Sequence, residues 1–359
     1  MSNDRIFYAC QGVYVRYGQG AVPSGTASFL TGVQSIGVDS SIQHNNLPDA
    51  GRFQNKFKYE GRNKEFTITI NRLLDKSSST FFSCQYSSTY ANSHIFAPNN
   101  LGFQGDADLR NYDIYIAYGE DNQSNLADGS LIYAHYKACL ITNISYNLSV
   151  GGRIEESITL VSRQVEYSTG NPGNGAPQTG STHSAETVKR KDIILSVLPT
   201  EANEAYITNS PLSVNGKSVN GIQSIDISID ISYADLMDVG KWNGYDVYAD
   251  INKYRIITTP AAVNCNFTGV TRTMFPANNY GVNVPEAPKT RQIKIAASAG
   301  SNYFIWDLGE RNYLTDYSVD GGDISGGNIE LSLSYTNEYA DFVIAKSSSI
   351  LSISNTGPY

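Results

Sequence analysis

The chain is short of charge, and what it carries is scattered. Of 359 residues, 17% are Asp, Glu, Lys or Arg, below the usual quarter. The formal net charge is −8, and the clearest basic run is Lys189-Arg190-Lys191. A protein that grips phosphates needs a basic patch to release counterions, so tight nucleic-acid binding is not expected. Passage of a polyanion is another matter, because an acidic wall repels phosphate and lets it slide. Cys10, Cys84, Cys139 and Cys265 lie far apart with no CxxC pair, which predicts reduced, buried thiols and no structural zinc. There is no run of about 18 apolar residues that would make a membrane helix. The opening MSNDRIFYACQGV also lacks the pattern of a secretory leader. The expectation is a soluble protein made in a reducing cytosol, in which the Asn-x-Ser/Thr triplets at Asn143, Asn147 and Asn266 carry no glycosylation signal.

Catalytic patterns are equally scarce. His44, His94, His135 and His183 form no HExxH or His-x-His arrangement and read as solvated or capping residues. There is no Gly-x-Ser-x-Gly elbow and no GxxxxGK[ST] loop. The stretch GQGAVPSG from Gly18 fails the dinucleotide fingerprint and reads as a loop. The stretch from Asp106, DADLRNYD, lacks the glycine of an EF-hand loop. DGGDISGGN, Asp320 to Asn328, occurs once rather than in stacked rows, so it reads as a hairpin turn. Asp226 and Asp230 share a strand face roughly 13 Å apart by strand rise, too far for a glycosidase pair, which needs about 5 to 9.5 Å. Like Glu155 and Glu156, they read as a solvated sheet face. No catalytic residue, metal ligand or cofactor is assigned.

What is plentiful is strand-forming sequence. Hydrophobic residues make up 40% of the chain, with 25 Tyr and 31 Gly, a mix that favours strands and turns. In GIQSIDISIDIS, Gly221 to Ser232, Ile225, Ile227, Ile229 and Ile231 alternate with Asp226, Ser228 and Asp230, the period of a half-buried strand. A near-copy, GVQSIGVDSSIQ, stands at Gly32 to Gln43. Each is followed at the same distance by Leu-x-Asp-x-Gly-basic-aromatic: Leu47, Asp49, Gly51, Arg52 and Phe53, then Leu236, Asp238, Gly240, Lys241 and Trp242. A further strand follows each, FTITINR from Phe66 and VNCNFTG from Val263. IYIAYGE, ending at Glu120, matches FIWDLGE, ending at Glu310. LSVGGRIEESITL, Leu148 to Leu160, matches DISGGNIELSLSY, Asp323 to Tyr335.

Matches in one order at similar separations predict a tandem duplication. The Gly/Pro/Ser/Thr-rich stretch 169–187 reads as a linker between a first domain, 1–168, and a second, 188–359. Each is expected to be mainly antiparallel β with at most one short helix, near Asp106 to Tyr112. The repeated Leu-x-Asp-x-Gly element is either a wide turn plugging the core or an assembly loop in which Arg52 or Lys241 meets an acid of a neighbouring subunit.

IFYACQGVYV, GVQSIGVDSSIQ and LPDAGRFQNKFKYEGRNKEFTITINRLLD together resemble the tail-tube proteins of long-tailed bacteriophages. The likeness covers most of the first copy and, more faintly, the second. The second copy lacks the Tyr-Ala-Cys-Gln-Gly-Val opening and carries an insert around Gly244 to Pro260. The resemblance implies two tail-tube-like β-sandwich or split-barrel domains and no enzymatic activity. It implies rings, typically sixfold, stacked into a hollow tube around DNA, with loops at about His44 to Asn63 and Tyr233 to Tyr254 touching the next ring. Two domains per chain suit a pseudo-sixfold ring of three chains, or a ring of six with the second domain outside. A ring of three sums to about −24 in formal charge, consistent with a negative lumen. The implied partners are further copies of the chain, other tail or sheath proteins, and genomic DNA passing without specific binding. The implied location is the virion tail, assembled in the host cytoplasm, with no membrane. A baseplate or tube-terminating ring of the same fold is a related expectation. A carbohydrate-binding adhesin, with Trp242 and Trp306 stacking on sugars, is the rival from a different class.

Overall fold

Alternation in the sequence becomes alternation in space. Ile225, Ile227, Ile229 and Ile231 are all buried, while Asp230 and Ser232 on the same strand are exposed. A computed structural model describes residues 12–19, 27–48, 55–74, 76, 94–96, 110–119, 131–149, 152–169, 192–199, 213–214, 217–218, 222–235, 255–271, 291–299, 301–321, 329–339 and 342–347. The first half contributes β1 (Gly12–Gln19), β2 (Ser28–Phe29), β3 (Val33–Pro48), β4 (Asn55–Leu73), β5 (His94–Phe96), β6 (Arg110–Tyr118), β7 (Ile132–Ser149), β8 (Glu155–Ser162) and β9 (Gln164–Ser168). The second contributes β10 (Ile193–Pro199), β11 (Ser213–Val214), β12 (Lys217–Ser218), β13 (Ile222–Asp235), β14 (Arg255–Thr271), β15 (Arg291–Ala299), β16 (Asn302–Asp307), β17 (Tyr313–Gly321), β18 (Ile329–Asn337) and β19 (Val343–Ser347). The protein is mainly β, its sheets are antiparallel, and there is no helix among the described residues. The helix expected near Asp106 to Tyr112 is corrected where it can be seen: Arg110 to Tyr112 open β6, and 106–109 lie outside the described residues. Most of the expected linker, 170–187, also lies outside them.

β7 organises the larger, 12-stranded sheet. On one side it pairs β8 and then β9; on the other it pairs β6 along its first half and β13 along its second. The sheet therefore runs out one way through β6, β1 and β2. It runs the other way in the order β17-β18-β14-β13-β7-β8-β4-β3. The change of partner on β7 comes at Ala138, whose φ of 50° is left-handed, a conformation uncommon for a residue with a Cβ. Its N–H donates to Asp113 Oδ1 at 3.2 Å. The fully buried Asp113 also meets Arg16 Nη2 at 2.6 Å and His135 Nε2 at 3.1 Å. In the second half the chain breaks instead between β16 and β17. There Gly309 takes a φ of 85°, and its N–H donates to Asp307 Oδ1 at 3.1 Å.

A 5-stranded sheet, β10-β15-β16-β19-β5, adds Ile293, Ile295, Phe304, Trp306 and Ile344 to the cluster formed by Ile68, Ile144, Ile158, Ile227 and Phe267 of the larger sheet. Tyr146 and Trp306 join the two sheets edge to face, with centroids 5.3 Å apart, an arrangement aromatic pairs favour. Cys139 and Cys265 are free and buried, as the sequence suggested; Cys10 and Cys84 lie outside the described residues. IYIAYGE and FIWDLGE, alike in sequence, do not occupy matching places. The first lies on β6, bordered by β1 and β7, and the second on β16, bordered by β15 and β19.

Tyrosines inside this core tie stability to alkali. Burial pushes Tyr14, Tyr136 and Tyr146 up, the last also through the Glu156 carboxylate, and moves Tyr115 to about 12. An acid whose folded pKa is raised deprotonates first in the unfolded chain. Stability is therefore full below about pH 10 and falls as pH rises above it. A circular-dichroism titration should show loss of structure in step with tyrosinate absorbance; ionisation of these tyrosines near pH 10 with structure retained would contradict it.

Candidate functional site

The junction of the two halves is made of strands. Across it Ser224 to Asp230 of β13 pair in register with Ser149 to Asn143 of β7, antiparallel. On the core face Ile225 meets Leu148, Ile227 meets Tyr146 and Ile229 meets Ile144, all buried. On the polar face the amide of Asn143 donates to Ser228 Oγ at 3.1 Å and to Asp230 Oδ1 at 2.6 Å. Asn147 donates likewise to Asp226 Oδ1. The two aspartates read from the sequence as a solvated face are therefore acceptors in a clasp. The sequence signal was a shared spacing: Asn143 and Asn147 lie four apart on one strand, as Asp226 and Asp230 do on the other. That places each pair on one face.

A cleft of about 470 Å³ runs along this polar face, lined among others by Gln34, Asn71, Ser145, Asn147, Asp226 and Ser228. Two of its carboxylates, those of Glu156 and Asp226, are engaged structurally. Glu156 is buried against Arg72 Nε and accepts from Tyr146 Oη at 2.9 Å, and Asp226 is held by Asn147. Among the described residues no group of three or more His, Cys, Asp or Glu is placed to hold a metal ion.

The two margins of the long sheet are the second feature. Among the described residues β3 bonds only β4, and β17 bonds only β18. Val38 on β3 pairs with the buried Ile68 and so shares its core-facing side, yet it is 36% exposed. Gln34, Ser35, Gly37, Asp39, Ser40 and Ser41 beside it are exposed as well. An unpaired strand edge with an uncovered aliphatic side chain invites another strand.

The repeated loop lies almost wholly outside the described residues. Leu47 is placed near the end of β3, where its backbone pairs with Lys56. Asp49, Gly51, Arg52, Phe53, Leu236, Asp238, Gly240, Lys241 and Trp242 lie outside them. Trp306 is fully buried against Tyr146 and Phe304, so it presents no face to a sugar. The loop motif drew attention in the sequence; the margins β3 and β17 did not, because an edge is a property of topology and not of composition. No family model and no curated protein matches this chain.

Proposed function

We propose that this chain is a structural subunit of a bacteriophage tail tube, with two homologous domains per chain and three chains to a pseudo-sixfold ring around a DNA-conducting lumen. The observation that carries it is one four-strand unit met twice, side by side, in one sheet. In the first half the order is β7-β8-β4-β3; in the second it is β17-β18-β14-β13. The ladders agree residue by residue: Ser35 faces Asn71, which faces Ser157, and Ser224 faces Thr268, which faces Ser332. Ser35 with Ser224, and Ser157 with Ser332, are the matches the sequence alignment makes independently.

The irregularities repeat too. A bulge follows Val33 on β3 and Ile222 on β13. Another falls at Thr142 on β7 and at Thr315 on β17. Each threonine hydroxyl there donates to a carbonyl of the neighbouring strand, Thr159 at 3.2 Å and Ser334 at 3.1 Å. Bulges are specific local devices, and a shared pair supports common descent of the halves.

Two units already joined through β13 and β7 leave β3 and β17 as margins of complementary kind. That is a heterologous, head-to-tail arrangement, which closes into a ring when the rotation permits. The resemblance of the first copy to tail-tube proteins and the polar clasp face support a wall around a negatively lined lumen. DNA would pass it without being gripped.

The test is direct. Purified protein at high concentration should show rings or stacked tubes in negative stain, with a ring mass near about 118 kDa for three chains of 39.2 kDa each. A chain that stays monomeric, or stops at a twofold dimer, overturns the proposal.

A further inference from the structure

The internal junction is a template for the one between chains. β13 occupies in the second unit the place β3 has in the first, and β17 the place of the second half of β7. The stretches concerned run without interruption between their bulges, so the β13–β7 register can be moved onto β3 and β17 position by position. We propose that ring closure sets β3 of one chain antiparallel to β17 of the next. The register is Ile36 opposite Gly321, Gly37 opposite Asp320, Val38 opposite Val319, Asp39 opposite Ser318, Ser40 opposite Tyr317 and Ser41 opposite Asp316. This assignment rests on the ring reading above and adds to it the surface and the register.

A second observation points the same way. Val38 holds the ladder position of Ile227, which is 1% exposed because β7 lies beside it. Val38 is 36% exposed, and no described strand pairs the free side of β3. A strand on the free side of β3 would cover it as Tyr146 covers Ile227.

The transferred register also predicts how the seam differs from its template. Asp316 and Asp320 fall where Asn143 and Asn147 stand, and Gly37, Asp39 and Ser41 fall where Asp226, Ser228 and Asp230 stand. The amide donors of the internal clasp are thus replaced by carboxylates, both of them diagonal to Asp39.

The experiment uses the full chain carrying Asp39→Cys with Ser318→Cys, two exposed positions at which cysteine should be tolerated. These residues sit at opposite margins of the sheet within one chain, so oxidation should yield covalent dimers and closed trimers on a non-reducing gel, above the background of the native cysteines. Asp39→Cys with Asp320→Cys places the thiols diagonally, with Cβ atoms roughly 7 Å apart. A disulfide needs about 3.5–4.5 Å, so this pair should stay unlinked under the same oxidant. If rings form but the 39/318 pair does not link, or the 39/320 pair links faster, the register is overturned while the ring reading stands. If neither wild type nor variants assemble, the ring reading falls and this assignment with it.

Discussion

Replacing Arg72 with Met is expected to cost about 3–5 kcal/mol of folding stability, the largest loss from any single substitution considered for this fold. Arg72 and Glu156 face each other across β4 and β8, both with fully buried side chains, and Tyr146 donates to the same carboxylate. Removing the guanidinium leaves a carboxylate stranded in the core beside Tyr146. Stranding a charge is worse than never having it, because desolvation is no longer compensated. The double variant Arg72→Met with Glu156→Leu should recover most of the loss. The second unit supports this: the same ladder positions hold Gly269 and Leu331, and Val319 stands where Tyr146 does. Urea unfolding of the three proteins decides it. A single variant as stable as wild type, or a double variant no better than the single, contradicts the account.

Val38→Lys is expected to abolish assembly while leaving the subunit folded. In the free chain Val38 lies at an open margin, so a lysine there keeps its ammonium in water and the fold is nearly unaffected. In the proposed ring the same lysine would be driven onto a core face between chains, away from the water that solvates its charge. That penalty is at least about 3 kcal/mol per seam, or more than roughly 100-fold in association. Sedimentation velocity should find a folded monomer at concentrations where the wild type is expected to form rings. Rings of normal mass from the variant would show that β3 is not buried between chains.

How much of this was legible beforehand depended on burial. Strands with one wet face announced themselves: the isoleucine ladder of β13, and Ser157 to Leu160 on β8, have the period their letters suggest, whereas Glu156, read from the sequence as solvated like Glu155, is fully buried on the core side against Arg72. β6 did not, because both its faces are covered. Asn111 and Asp113 are fully buried between apolar neighbours, which blurs the alternation, and the acids before Arg110 imitate the start of a helix. The same blurring made β6 and β16 look alike. Strands covered on both sides read as apolar runs and align readily whatever their place in the sheet. Asp226 and Asp230 were correctly placed on one face, but their partners Asn143 and Asn147 sit in the other half of the chain, where strand periodicity carries no information. The repeated loop gave the strongest motif, but the described structure places little more of it than Leu47.

The two halves differ in how each holds its layers together. In the first, the backbone of β7 passes unbroken from its pairing with β6 and β9 to its pairing with β8 and β13, turning at Ala138 with Asp113 clamping the corner. In the second, that continuous girder is cut at Gly309, and β16 and β17 are separate pieces. A load pulling on β6 and β9 is passed straight to β8 and β13 by covalent bonds in a strand. In the second half it must cross a glycine joint. In a ring of three such chains, rigid and hinged spokes would alternate around the circumference, so bending would follow a threefold pattern even where the wall itself looks sixfold.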